Sequence, residues 1–398
     1  MFNILRVIYD RKVDFVAKTP EQGLALAQEL YEHRGLRAKE LAAQGKKVVG
    51  YLCCYTPVEL LTALDLVPYR IQGGAGRPLK QVDQYLETIM CPYVRSCFDL
   101  ALGGEYDFFS GVVIPHTCDA MHRVYDIWKY HLKPPYSHCI TVPHMTHQAS
   151  FEYFQKELED FQESLERFFG RSASGEALAA AIGLHNRSRA LLRELYELRK
   201  AEPPLISGVE VTRVLVAGMT IPVEEFNDLL KDVIAEVRSR SPGSDGRPRL
   251  LVVGSEVDDV AMIRLVEDSG ARVVMDDLCT GSRSFWEDVD LAEGALTGLA
   301  ARYLGGITCP CTYRPGKVAQ RFSYLEDYAR DWGVQGVLLY AIRFCDTYQL
   351  DAPEIKGYME GLGFPVLYLE DDYIMPPLAQ WKTRIEAFLE TVEAKKRE

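Results

Sequence analysis

The sequence lacks any run of 18 apolar residues, so no segment reads as a membrane-spanning helix. It also lacks a long basic block: 45 Lys and Arg stand against 57 Asp and Glu, for a net charge of −12. Phosphate backbones are bound by clustered cations, so nucleic acid is not expected as the main partner. No G-x-G-x-x-G follows the first predicted strand, and no G-x-x-x-x-G-K-[ST] occurs anywhere. Neither a dinucleotide fingerprint nor a P-loop is present, and any ATP the protein depends on binds elsewhere. The opening stretch MFNILRVIYDRKVDF is broken by charges every few residues and shows no cleavage site. It does not read as a secretory signal, and a cytoplasmic location is expected.

Cysteine, by contrast, is plentiful: ten in 398 residues. In a reducing compartment such thiols serve as metal ligands or nucleophiles more often than as disulfides. Cys139 in SHCITV and the adjacent Cys53 and Cys54 in YLCCY read as ordinary buried core. Six others lie in contexts that mix Pro, Gly, Asp and Thr, as turns do. They are Cys91 (MCPYVRSC), Cys118 (PHTCDAMHR), Cys279 (DDLCTGS), Cys309 and Cys311 (ITCPCTYRPG) and Cys345 (AIRFCDTY). Cys97, six residues after Cys91, is ambiguous.

The hydrophobic pattern predicts two α/β units. Residues 20–45 read as a helix closed by Gly45, and KKVVGYLCCY (46–55) as a strand. A helix follows over 56–67, with Thr56 as N-cap and Pro57 at its first position. PYRIQ and SGVVI (110–114) are further strands, the latter delivering His116 and Cys118. From 150 to 240 the period is helical; Phe151, Phe154, Leu158, Phe161, Leu165 and Phe168 form one seam, and Phe226 to Val237 another. After the turn-rich SRSPGSDGRP, strands are predicted at 249–253, 272–277, 336–342 and 364–370, with a last helix over 377–394. The expected organisation is an N-terminal helical segment (1–45), a first α/β domain (46–148), a helical connector (149–245) and a second α/β domain (246–398). Strand–helix alternation implies parallel sheets covered by helices, with ligands beyond the strand carboxyl ends.

Soft thiolates select zinc, copper(I) or iron–sulfur clusters. Structural zinc favours two compact Cys pairs, whereas only Cys309-Pro310-Cys311 is closely paired here besides Cys53-Cys54, and ferredoxin spacing is absent. The better match is an iron–sulfur cluster in a cleft, each unit giving single ligands from loops beyond its sheet. Glu59, opening a helix in TPVEL, is a candidate proton donor or a capping carboxylate. His116 is a candidate proton relay or a loop residue without function. Arg95 and Arg343 are candidates to offset cluster charge, or solvated surface residues. Gly73-Gly74-Ala75-Gly76 reads as a turn before it reads as a phosphate cradle. His122, His131, His138, His144 and His147 are too irregularly spaced to read as a metal box.

The segment GYLCCYTPVELLTALDLVPYRI resembles the strand–P-x-E–helix opening of the 2-hydroxyacyl-CoA dehydratase / benzoyl-CoA reductase superfamily, and the likeness runs over essentially the full length. CPYVRSCFDLAL, HTCDAMHRVYDIWK and FCDTY resemble its three cluster-cysteine motifs in order, and IPVEEFNDLLKDV resembles the connector of benzoyl-CoA reductase subunits. This implies a [4Fe–4S] cluster on Cys91, Cys118 and Cys345, with one iron open to a small ligand. DDLCTGS and the CPC of ITCPCTYR resemble the double-cubane cluster proteins, a homodimeric branch in which six cysteines of one subunit hold two sulfide-bridged cubanes. Cys279, Cys309 and Cys311 complete that number. The resemblance therefore implies an [Fe8S9] double cubane between two Rossmann-like or flavodoxin-like domains. It further implies a homodimer, an iron–sulfur activator ATPase as electron donor, and a small unsaturated substrate such as acetylene. Two alternatives stay open: a one-cubane subunit of a CoA-thioester dehydratase or reductase, and a non-catalytic iron–sulfur electron carrier.

Overall fold

Two four-stranded sheets, every strand parallel to its neighbours, organise the chain. The computed structural model describes residues 22–396 apart from 242 and 244; the start of the predicted N-terminal segment lies outside the described residues. The helix expected over 20–45 is in fact two, α1 (Gly23–Glu32) and α2 (Leu36–Ala43). Gly35 separates them at φ 82°, a left-handed conformation that breaks the helix well before Gly45.

The first sheet is built from β1 (Lys47–Tyr51), β2 (Leu66–Arg70), β3 (Gly111–Val113) and β4 (Ser137–His138), in the order β2-β1-β3-β4. Helices α3 (Val58–Ala63), α4 (Pro92–Leu102) and α5 (Asp119–Leu132) supply the crossovers. Helix α3 begins later than predicted. Pro57 takes the N-cap, and the Thr56 hydroxyl donates to the Leu52 carbonyl at 2.8 Å instead of capping. The chain leaves that helix early through Asp65 at φ 53°, so β2 is 66–70 rather than 68–72.

Four helices follow: α6 (Gln148–Phe169), α7 (Gly175–Glu197), α8 (Gly208–Gly218) and α9 (Val223–Arg238). Phe154, Leu158, Phe161 and Leu165 of α6 are buried as the periodicity predicts, but Phe168 in the last turn is 48% exposed. On α9 the whole predicted face from Phe226 to Val237 is buried. Helix α1 packs on α8 and α9, so the N-terminal segment covers the connector.

The second sheet comprises β5 (Arg249–Gly254), β6 (Arg272–Asp277), β7 (Gly336–Ile342) and β8 (Val366–Asp371), in the order β6-β5-β7-β8. Its helices are α10 (Ala261–Asp268), α11 (Ala295–Ala300), α12 (Val318–Asp331), α13 (Asp346–Gly361) and α14 (Leu378–Lys396). Both faces of this sheet are covered. Leu250, Val252, Leu338 and Tyr340 belong to a core shared with the first sheet, while Leu251, Val253, Val337 and Leu339 belong to one built with α8, α9, α12 and α13. Each such fully buried aliphatic side chain contributes about 1.5–3 kcal/mol. That two-sided burial is why these strands read as unbroken apolar runs. Among the described residues no helix is long and apolar enough to cross a membrane.

The two strand orders are the same, and both are of the Rossmann/flavodoxin-like doubly wound type. In each, chain direction of assembly reverses between the first and third strands, which opens a crevice at their carboxyl ends. In the first sheet that crevice lies between β1 and β3, and in the second between β5 and β7.

Candidate functional site

The loops at these crevices carry the cysteines. Cys53 and Cys54 follow β1, Cys118 follows β3, Cys279 follows β6 and Cys345 follows β7. Cys91 precedes α4, and Cys309 and Cys311 lie between the helical stretch 295–305 and α12. Thiols from the two halves meet. Cys54 is within hydrogen-bonding reach of Cys53 and Cys279, Cys279 of Cys309, and Cys309 of Cys311. Cys91, Cys118 and Cys345 act on one another electrostatically as a second group, and Cys53 is felt from both groups. The six expected cysteines are thus brought together, with two more whose sequence context is that of core. Cys97 is fully buried beside Tyr93, and Cys139 interacts with Asp126, Glu157 and the His116 backbone.

Cys91, Cys118 and Cys345 share one local device: each is the N-cap of a helix, α4, α5 and α13 respectively. No side-chain cap hydrogen bond forms at any of the three, but the first-turn backbone acts to lower the thiol pKa, from Val94 and Tyr93 on Cys91, Met121 on Cys118 and Tyr348 on Cys345. Free N–H groups and the helix dipole favour a negative sulfur at this position. Burial opposes it, pushing Cys91 up to about 12 and raising Cys118 and Cys345. The thiols therefore hold their protons until a cation displaces them, so metal uptake releases protons.

The other group is served by arginine. Arg283 is 2% exposed; its Nη1 donates to Cys279 Sγ at 3.1 Å, and its Nη2 donates to Asp277 Oδ2 at 2.9 Å and to the Gly254 carbonyl at 3.2 Å. Hydrogen bonds from Cys309 and Cys54, reinforced by Arg283, hold Cys279 well below the ordinary thiol range. Cys53 is drawn down to about 7 by its bond with Cys54. Three buried N–H groups near these sulfurs have no hydrogen-bond partner: Arg70 Nε, Arg283 Nε and Arg302 Nη1. Arg70 acts on Cys53 and Cys279, Arg283 on Cys279 and Cys309, and Arg302 on Cys54. Unpaired buried donors cost about 1–3 kcal/mol each, and an anionic sulfur-rich body would satisfy them. Soft ligands, helix N-termini and orphaned guanidinium groups together suit an iron–sulfur cluster. Among the described residues, no group of three or more His, Cys, Asp or Glu closes on a single metal ion.

Other predicted residues are placed differently from expectation. Glu59 is fully buried in α3, ion-paired with Arg189 and accepting the Tyr303 hydroxyl at 2.8 Å. Burial works against its charge, but Arg189 and then His185 hold it down at about 2. It is an ionised structural partner, not a carboxylic acid with a proton to give at neutral pH. His116 is half-buried, stacked on His122 with centroids 4.1 Å apart and edge-on to His144 at 5.7 Å. His144 Nδ1 lies 2.9 Å from the Cys311 carbonyl, which joins this imidazole group to the thiol loops. Burial, then His122 and His144, lowers the His116 pKa. Arg95 and Arg343 turn to carboxylates, Asp83 for the first and Glu370 and Asp372 for the second. The Gly73–Gly76 amides are engaged as in a turn, Gly73 N donating to Asp258 and Gly74 N to Ser96.

Two features had no sequence signal. Glu256, after β5, is 2.9 Å from Arg70 yet burial pushes it up to about 8. A cavity of about 130 Å³ reaches Cys54 and is lined also by Thr56, His185, Arg189, Met219 and Tyr303.

The family model described as 2-hydroxyglutaryl-CoA dehydratase, D-component, matches residues 53–392. A benzoyl-CoA reductase polypeptide of Thauera aromatica is 28% identical, over 90% of this chain and 95% of its own length. The (R)-phenyllactyl-CoA dehydratase beta subunit of Clostridium sporogenes is 24% identical, over 89% and 94%. The beta subunit of (R)-2-hydroxyglutaryl-CoA dehydratase of Acidaminococcus fermentans is 24% identical, over 88% and 93%.

Proposed function

The chain belongs to the 2-hydroxyglutaryl-CoA dehydratase D-component family, and from that premise we propose that it is an iron–sulfur reductase of small unsaturated molecules. Its cofactor in this reading is an [Fe8S9] double cubane, charged with electrons by a separate ATP-hydrolysing iron–sulfur activator that docks on a homodimer. The observation that supports this most is the surplus of thiols. Beyond the three helix N-cap cysteines stands a second group in which Cys54 of the first half acts on Cys279, Cys279 on Cys309 and Cys309 on Cys311.

Cys91, Cys118 and Cys345 would hold one cubane, and Cys279, Cys309 and Cys311 the other. When bound, the cluster supplies one-electron reduction at low potential, as six thiolate ligands favour. The first-turn amides and Arg70, Arg283 and Arg302 offset the negative charge of the sulfurs. Glu59 is a positioning residue, fixing Arg189 and Tyr303 on the wall of the cavity. His116, two residues before Cys118 and with His122 and His144 beside it, is assigned the proton relay. Glu256 holds a proton at neutral pH close to Cys53 and Cys279.

Iron and acid-labile sulfide in anaerobically purified protein test the reading. About eight irons per chain are expected, and Ala at Cys279, Cys309 or Cys311 should halve that number. With the activator and ATP, the loaded protein should reduce acetylene; no reduction after full loading would leave an electron carrier. The names of the relatives favour a second reading, a one-cubane subunit of a multi-subunit dehydratase or reductase. About four irons per chain, unchanged by those three substitutions, would select it.

A further inference from the structure

The cavity of about 130 Å³ lies where three parts of the chain meet. The first sheet contributes Tyr51, Pro68 and Arg70 from β1 and β2, the connector contributes residues of α7, α8 and α9, and the second unit contributes Ser284, Phe285 and Tyr303. Val58, Leu192, Leu215, Met219, Ile221 and Phe226 give it an apolar wall. It also adjoins the sulfurs: Cys54 is on the wall, and Ser284 follows Arg283, whose Nη1 donates to Cys279 Sγ at 3.1 Å.

The polar side chains on that wall are committed elsewhere. Thr56 Oγ1 donates to the Leu52 carbonyl, Ser188 Oγ to Asn227 Oδ1 and the Tyr303 hydroxyl to Glu59, each at 2.8 Å. Arg189 is ion-paired with Glu59, and Arg70 Nη2 donates to Glu256 at 2.9 Å. His185 Nε2 lies 2.9 Å from Thr62 Oγ1, and burial keeps its imidazole neutral. A polar molecule entering would give up its hydration to groups already engaged, whereas a hydrocarbon would lose nothing. Size restricts the choice further. Sites for drug-sized ligands run to about 300–1,000 Å³, while an apolar hole of about 150 Å³ takes benzene or xenon.

We propose that this cavity is the substrate pocket, and that it selects uncharged, predominantly apolar molecules of up to about six heavy atoms, short alkynes and alkenes among them. The proposal rests on the reductase reading given above and adds to it a place and a size limit. Two electrons from the activator and two protons turn the triple bond of a bound alkyne into a double bond. Leu192 and Met219 are the specificity residues, since their apolar side chains can be exchanged for larger or smaller ones without stranding a polar group.

Leu192→Phe and Met219→Trp narrow the cavity and Met219→Ala widens it; all are compared with the wild type as iron-loaded, anaerobic protein. Circular dichroism and iron content confirm folding and loading. Crystals of the wild type under xenon pressure should show anomalous density in the cavity, and the narrowed variants should lose it. Their KM for acetylene should rise at least about tenfold, with iron content unchanged. Met219→Ala should reduce oct-4-yne, which the wild type should not, a gain that a folding defect cannot mimic. A wild-type cavity that binds no xenon would overturn the proposal, and so would acetylene kinetics and alkyne range unchanged in folded, fully loaded variants. In either case acetylene reduction by the wild type would keep the reductase reading. Loaded wild type that reduces no acetylene would overturn that reading, and the substrate role of the cavity with it.

Discussion

Replacing Glu59 by Gln should destabilise the protein by about 3 kcal/mol at pH 7. The carboxylate is fully buried, paired with Arg189 and bonded by Tyr303, and its pKa is drawn from 4.5 to about 2. That drop of about 2.5, at 1.36 kcal/mol per pH unit, gives the figure. Losing one partner of a buried pair typically costs about 3–5 kcal/mol, because the other charge is left uncompensated, so the two routes agree. The sign of the pH dependence follows. Since the folded pKa lies below 4.5, the stabilisation is fully present above that value and is lost as pH falls through about 2. Anaerobic urea unfolding of Glu59→Gln and wild type should therefore show a constant deficit from pH 8 to about 5.5, narrowing only below 4.5. The double variant Glu59→Leu/Arg189→Leu should recover much of the loss, since no charge is then stranded. A deficit under about 0.5 kcal/mol would refute the buried-pair reasoning. One that titrates between pH 6 and 8 would also refute it, and would restore Glu59 as a proton donor.

Single contacts elsewhere carry their own expectations. Arg283→Gln removes the guanidinium from Cys279 and strands Asp277, so stability should fall by about 3–5 kcal/mol. The reduction potential of the loaded cluster should become more negative in a redox titration, because a cationic donor to sulfur is lost. Gly254→Ala would set a Cβ 2.1 Å from the Tyr340 carbonyl, forcing β5 and β7 apart at the crevice. A loss of about 1–3 kcal/mol and poorer iron retention are expected. Gly183→Ala on α7, with nothing within 4 Å, should instead be neutral or stabilising in thermal unfolding by up to about 1 kcal/mol. Burial lowers His185 from 6.5 to about 4, so its imidazole is neutral in the folded state. Wild-type stability should therefore fall as pH drops from 6.5 through about 4, and His185→Gln should flatten that slope.

Much of the fold is written locally. The strands at 272–277 and 336–342 match their predicted bounds, because a parallel strand buried on both faces must be an unbroken apolar run. The cysteines at 91, 118 and 345 are legible too, since a turn followed at once by helix is a feature of a few adjacent residues. The left-handed glycine at position 35 is less legible: the surrounding helix formers hide a break that one backbone angle decides.

The sequence by itself determined an α/β chain with parallel sheets, no nucleotide motif of its own, and six thiols in ligand-like turns. Only the tertiary structure decided which charges and which further thiols meet them. Cys53 and Cys54 sit at the end of a buried strand, a context identical to core until Cys279 from the other crevice is brought alongside. Arg95 and Arg343 adjoin cysteines in sequence yet bind carboxylates, whereas Arg283 and the distant Arg70 and Arg302 act on the sulfurs. Glu59 acquires its partner from 130 residues away, and with it a pKa that no local pattern encodes. Local sequence sets backbone conformation and apolar period, but ion pairing, burial and thiol contact depend on elements that meet only when the two crevices close on each other.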